Sequence, residues 1–224
     1  MESKTVNIIL DGRSLEVEKG NTILQAARQF GINIPTVCYM ENLSPYGGCR
    51  ICVVEIGNGG GGPTFLDTSC TRQAEEGLVI QTQSPRVVRT RKMLAELLVA
   101  SAPNVKIAQD IAARMGIQRV RFPMEDNQCI LCGLCVRMCY EQMGGKALGF
   151  AGRGMGRRIS MPFQVRPETC LLCRGCDYVC PAVIIPCQGR KDPGELCGRC
   201  LRLEEIPKCC PNETFGCFCE KNPL

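Results

Sequence analysis

Cys38, Cys49, Cys52 and Cys70 are separated by ten, two and seventeen residues. Iron is thiophilic, and four thiolates so placed suit a [2Fe–2S] cluster, two thiolates to each iron. The small residues of Tyr46-Gly47-Gly48-Cys49 let backbone N–H groups approach the sulfides. Such hydrogen bonds, together with solvent exposure, set a cluster's potential. The alternative for four thiolates is zinc. A second constellation is a repeat. Cys129, Cys132, Cys135 and Cys139 have the spacing of Cys170, Cys173, Cys176 and Cys180, and Pro181 follows the second run. In paired-cubane chains with this run, the fourth cysteine ligates the other cluster. The rule assigns Cys129, Cys132, Cys135 and Cys180 to one [4Fe–4S] cluster. Cys170, Cys173, Cys176 and Cys139 go to the other. The crossover would hold the cubanes close together, which favours electron hopping.

Seven of the nineteen cysteines remain: Cys187, Cys197, Cys200, Cys209, Cys210, Cys217 and Cys219. In a chain without histidine, a ligand set of Cys187, Cys197, Cys200 and one of Cys209 and Cys210 is expected. It would hold a further [4Fe–4S] cluster or an all-cysteine zinc site; free thiols or docking elements are the third option. Such a short segment has little apolar material to fold around without metal or a partner surface.

A disulfide scaffold would need a secreted chain. Residues 1–20 lack a basic start followed by an apolar run, and no stretch has the length of a membrane span. A reducing cytoplasm is expected, where clustered cysteines are metal ligands. The formal charge of +5 does not point to nucleic acid. Twelve ligand thiolates and three oxidised cluster cores bring it to roughly −1, and the aromatic residues are not interleaved with basic ones.

The elements that must position these thiols are also visible. Thr5–Leu10 and Ser14–Glu18 read as strands around an Asp11-Gly12 hairpin turn. Asn21 is expected to cap a helix carrying Ile23, Ala26, Ala27 and Phe30 on one face, with Gly31 as its stop. A hairpin, one amphipathic helix and a long cysteine-bearing loop begin a β-grasp ferredoxin, with Ile51–Ile56 and Leu78–Gln81 completing the sheet. The glycine run at 57–62 reads as a turn, because no helix pattern follows it as a phosphate loop requires. Ser84-Pro85 starts a helix over Arg86–Ala100. Pro103 breaks it, and Asn104 is expected to cap another with Ile107, Ile111 and Met115 on one face and Gly116 as its stop. Gly152-Arg153-Gly154-Met155-Gly156 lacks the strand–turn–helix context of a dinucleotide site. The fold class is α+β in four parts. Residues 1–82 are a β-grasp [2Fe–2S] ferredoxin domain and 83–122 a helical connector. Residues 123–186 are a two-[4Fe–4S] bacterial-type ferredoxin domain, and 187–224 a Cys-rich tail.

Three phrases carry a family resemblance: residues 48–55 (Gly48-Cys49-Arg50-Ile51-Cys52-Val53-Val54-Glu55), the run Cys129–Cys139, and Ala147-Leu148-Gly149-Phe150. Residues 5 to about 186 resemble the N-terminal iron–sulfur region of the large subunit of respiratory NADH:quinone oxidoreductase. The same module opens [FeFe]-hydrogenases and NAD-linked formate dehydrogenases, and forms a small subunit of NAD-reducing [NiFe]-hydrogenases. That family normally has a further [4Fe–4S] cluster held by one histidine and three cysteines. Here Ser101–Lys106 stands in its place, with no histidine in the chain and no cysteine between Cys70 and Cys129. The resemblance implies an electron-transfer subunit, not an enzyme by itself. Its expected partners are a flavin/NAD(P)H-binding oxidoreductase subunit and a catalytic or ferredoxin-docking subunit. A free-standing diffusible polyferredoxin and a zinc-dependent binding module are the competing readings.

Overall fold

Thr5–Leu10 forms β1, in which Val6, Ile8 and Leu10 turn inward. Asp11 and Gly12 both take positive φ, the backbone a two-residue hairpin turn requires, and Leu10 pairs with Arg13 across it. β2 (Arg13–Glu18) runs back antiparallel. β3 (Val53–Asn58), β4 (Phe65–Thr68) and β5 (Leu78–Gln81) complete a five-stranded sheet in the order β2-β1-β5-β3-β4. β5 lies between β1 and β3, parallel to the first and antiparallel to the second. The chain is described from residue 4 to residue 182 in this computed structural model. The expectations for the tail cysteines Cys187, Cys197, Cys200, Cys209 and Cys210 lie outside the described residues.

Helix α1 (Ile23–Gln29) buries Ile23, Leu24, Ala26 and Ala27 in one core with Ile8, Leu10, Val54, Ile56 and Ile80 of the sheet. Each fully buried aliphatic side chain of this size contributes roughly 1.5–3 kcal/mol. The cap of α1 is Thr22, one residue beyond the expected Asn21. Thr22 Oγ1 accepts from Gln25 N, and Gln25 Oε1 accepts from Thr22 N, a reciprocal capping box. Asn21 lacks a Gln or Glu three residues on, so it cannot make that pair. Gly31, at φ +73°, stops the helix as expected.

Helix α2 (Pro85–Ser101) starts at the Ser84 cap, whose Oγ accepts from Val87 N. Helix α3 (Lys106–Arg114) packs against it and ends at Gly116, φ +68°. Its N-terminus is uncapped by any side chain, because Asn104 Nδ2 donates to Asp126 instead. The buried face of α3 is Ala108, Ile111 and Ala112; Ile107 is only half-buried. Glu96 of α2 accepts from Arg121 N at 2.6 Å and from Arg121 Nη2 at 2.7 Å, tying the connector to α2. The loop between α2 and α3 is closed by buried apolar Ala102 and Val105. Among the described residues no helix is long and apolar enough to cross a membrane.

Two compact units result, with the boundary in sequence between Cys132 and Gly133. The second holds the short helices α4 (Leu134–Arg137) and α5 (Gly175–Tyr178), a wide π turn at Met138–Gln142, and the hairpin of β6 (Gly149–Ala151) and β7 (Arg158–Ser160). Gly152–Gly156 is the tip of that hairpin, which accounts for its glycines without a nucleotide. Gly152 has φ +75°, and a Cβ there would strike the Gly156 carbonyl.

Candidate iron–sulfur centres

The loop after α1 carries Cys38, the loop before β3 carries Cys49 and Cys52, and the turn after β4 carries Cys70. Cys38, Cys52 and Cys70 are each 1% exposed, while Cys49 is half-buried. Backbone bonds stitch these segments together. Ser69 N and Ser69 Oγ both donate to the Cys52 carbonyl, at 3.2 and 2.8 Å. The first N–H groups of α1 would otherwise lack partners. Instead Ile23 N donates to Arg72 O and Leu24 N to Ser69 O, each at 2.9 Å. The start of α1 therefore clamps the turn that presents Cys70.

Within this frame the four thiols are neighbours in two pairs. The Cys38 thiol hydrogen-bonds Cys49, and together with burial it pushes the Cys49 thiol far up. The Cys70 thiol donates to Cys52 and outweighs burial, holding Cys52 down at about 6; Ser69 assists. Cys70 itself is pushed up by Cys52, by burial and by the other thiols of the set. Clustering makes ionising the four thiols together costly, and a cationic iron core relieves that repulsion among thiolates, so the donor set fits a cluster. Arg50, at φ +60° between Cys49 and Cys52, reaches Thr68 Oγ1 at 3.3 Å and Asp67 at 3.6 Å, fixing the loop to β4.

Gly47 and Gly48 leave the space this loop needs. Gly47 has φ +66°, and a Cβ on it would lie 3.0 Å from Thr71 Cγ2; a Cβ on Gly48 would clash with the Tyr46 ring at its Cε1. Gly48→Ala is therefore expected to destabilise the N-terminal unit by roughly 1–3 kcal/mol and to lower its [2Fe–2S] content. Thermal unfolding and visible absorbance check this, and Tyr46→Ala in the same chain should restore both.

The repeated cysteine runs share a backbone device. Leu131 and Leu172 (φ +52° and +59°) and, two residues on, Gly133 and Arg174 (φ +67° and +58°) occupy matching left-handed positions. Such alternation turns N–H groups inward, the geometry of anion nests. Leu131 N donates to Cys129 Sγ at 3.4 Å. In the second unit, Cys139, Cys170, Cys173 and Cys176 line one open cavity of about 160 Å³, together with Met143, Met161 and Leu172, and Cys173 is exposed. Ala147 N donates to Cys139 Sγ at 3.3 Å. A Cβ on Gly145 would meet that sulfur at 3.3 Å. Burial and the neighbouring Asp177 carboxylate push the Cys176 thiol up to about 12. Four thiols from two stretches of chain around a mostly apolar cavity fit a cubane. Cys135 lies in α4 and Cys180 just beyond α5, where its N–H donates to the Asp177 carbonyl at 3.1 Å. Cys129 and Cys132 close the first unit. No disulfide joins any of the twelve described cysteines.

Sequence reasoning named the thiols and missed the polar side chains that hold their loops, Arg50, Ser69 and Arg91. Arg91 had a signal: it stands four residues from Val87 and four from Ala95, on the buried row of α2.

A 2Fe-2S iron-sulfur cluster binding domain matches residues 3–85, and a 4Fe-4S dicluster domain matches residues 123–184. An NADH-quinone oxidoreductase subunit of Rhizobium meliloti is 32% identical over 95% of this chain and 27% of its own length. The NADPH-Fe(3+) oxidoreductase subunit alpha of Geobacter sulfurreducens is 30% identical over 96% of this chain and 27% of its own. The chain thus spans about a quarter of these curated relatives. Among solved structures, a chain of NAD+-reducing [NiFe]-hydrogenase in the H2-reduced state superposes with a TM-score of 0.61 at 29% identity. That match covers 70% of this chain and 74% of that one.

Proposed function

We propose, on the premise that this chain is homologous to the iron–sulfur subunits of NAD(P)H-linked oxidoreductases and hydrogenases, that it relays electrons inside such a complex. One flank would receive a flavin/NAD(P)H-binding subunit and the other a catalytic or ferredoxin-docking subunit, in a reducing cytoplasmic setting. Iron–sulfur clusters, when bound, supply one-electron storage at potentials that the surrounding protein tunes. The chain's own residues do the holding. Cys38 with Cys49, and Cys52 with Cys70, would each grip one iron, following the two thiol pairs. Cys139, Cys170, Cys173 and Cys176 would grip one cubane, and Cys129, Cys132, Cys135 and Cys180 the other. Around Cys38, Cys52 and Cys70 burial excludes water, and N–H···S contacts such as that of Ala147 stabilise negative sulfur. The observation that carries this reading is the convergence of four thiols from sequence-distant stretches at each of two places, the Cys38 set and the Cys139 cavity.

Anaerobic iron and sulfide analysis with EPR tests it on the full chain. About ten irons per chain are expected, or about fourteen if Cys187, Cys197, Cys200 and Cys209 or Cys210 hold a further cubane. A colourless chain with stoichiometric zinc would refute it. Isolation from the native source should bring down a flavoprotein subunit, and a well-behaved lone monomer counts against the complex.

A further inference from the structure

Arg91 is only 2% exposed, at the middle of α2 and turned onto β3. Nη2 donates to the Val53 carbonyl at 2.6 Å, and Nε has no partner. No carboxylate pairs with this guanidinium among the described residues. A buried cation without a counter-charge is strongly unfavourable, and arginine does not escape by losing its proton. Burial lowers its pKa, opposed first by the Cys52 thiol and then by Asp11. The Asp11 carboxylate is already engaged, accepting from Thr82 N at 2.7 Å and from Thr82 Oγ1 at 2.6 Å. Besides Asp11, the acidic group acting on Arg91 among the described residues is Cys52, and Val53, whose carbonyl Arg91 grips, directly follows it.

We propose that Arg91 is the buried counter-charge of the Cys38, Cys49, Cys52 and Cys70 site and holds its reduction potential up. The inference rests on a [2Fe–2S] cluster being held there. With four thiolates the oxidised site carries about −2. One electron from an external donor turns one ferric iron ferrous and takes the site to about −3, with no bond made or broken and no proton moved. A fixed cation stabilises the more negative state, and the low local dielectric makes the interaction strong. Arg91 acts through charge at a distance, as a positioning and tuning residue.

The test is an anaerobic dithionite titration of the full chain, followed by the EPR signal of the [2Fe–2S] site, with the cubanes as internal reference. In Arg91→Gln and in Arg91→Met, the reduced-to-oxidised ratio at the wild-type midpoint is expected to fall about tenfold, a downward shift of about 59 mV for one electron. Arg91→Lys keeps the charge and should stay within about threefold of wild type, and the cubane midpoints should not move. Unchanged midpoints in fully loaded neutral variants overturn the inference, as does a lysine variant that shifts as far as glutamine. If neither neutral variant loads the cluster, loading of the lysine variant supports the counter-charge, and failure of lysine too overturns it. A wild-type chain without a [2Fe–2S] signal refutes the underlying reading, and the inference with it.

Discussion

Serine in place of Cys38, Cys49, Cys52 or Cys70 is expected to remove about two of about ten irons per chain, while both cubanes stay loaded. Each iron of a [2Fe–2S] unit needs two thiolates, and the structure offers no fifth cysteine to this set among the described residues: the nearest in sequence after Cys70 is Cys129. The stability effect should differ between positions in a way the iron count does not. Cys52 and Cys70 belong to the hydrophobic core with Ile56 and Ile80. A serine hydroxyl left unpaired there costs roughly 1–3 kcal/mol, beyond the folding free energy that metal binding contributes. For a domain of this size about 2 kcal/mol is a fall of roughly 10 °C in unfolding midpoint. Cys49, on a half-buried loop, should lose the cluster with a smaller fall. Iron analysis, EPR and calorimetry on the four variants measure both effects. Equal loss of cubane iron in any of them would mean the ligand sets are not separate.

That the effects can be assigned to residues at all follows from what spacing encodes. The short x2 and x3 gaps within each cysteine run leave little freedom in the backbone. The repeat was therefore legible, and its left-handed residues, Leu131 with Leu172 and Gly133 with Arg174, fall at matching places. The same holds for Asp11-Gly12, where the turn type dictates the residues. What escaped was decided at longer range. β4 is four residues long and follows a glycine run and Pro63, so no alternation marks it. Its pairing with β3 extends the sheet by one strand beyond expectation. β3 begins at Val53, two residues later than expected, because Ile51 and Cys52 stay in the cluster loop. The parallel contact of β1 with β5 joins residues some seventy positions apart. Arg91 lies on the buried row of α2, yet an arginine within a helix reads from sequence as solvated. Its burial needs a neighbouring negative site that only the folded sheet supplies.

The proposed crossover of ligands between the two cubanes has the other large consequence. Cys139 closes the first cysteine run, yet its sulfur lines the cavity formed by Cys170, Cys173 and Cys176 of the second. If it ligates there, Cys139→Ser should unload the cubane of the second run and spare that of the first, taking iron from about ten to about six per chain. Iron content alone cannot say which cubane went, but double variants can. Residues acting on one cluster are not additive, whereas residues on separate clusters are. Cys139→Ser combined with Cys170→Ser should therefore still retain about six irons, since both remove the same cubane. Cys139→Ser combined with Cys129→Ser should fall to about two, leaving only the [2Fe–2S] signal. The reverse pattern, additivity with Cys170 and none with Cys129, would place Cys139 on the cluster of its own run. Cys180→Ser gives the mirror experiment, non-additive with Cys129→Ser and additive with Cys170→Ser. Mössbauer spectra of iron-57-loaded chains resolve the two patterns, because cubane and [2Fe–2S] iron are counted separately in one sample.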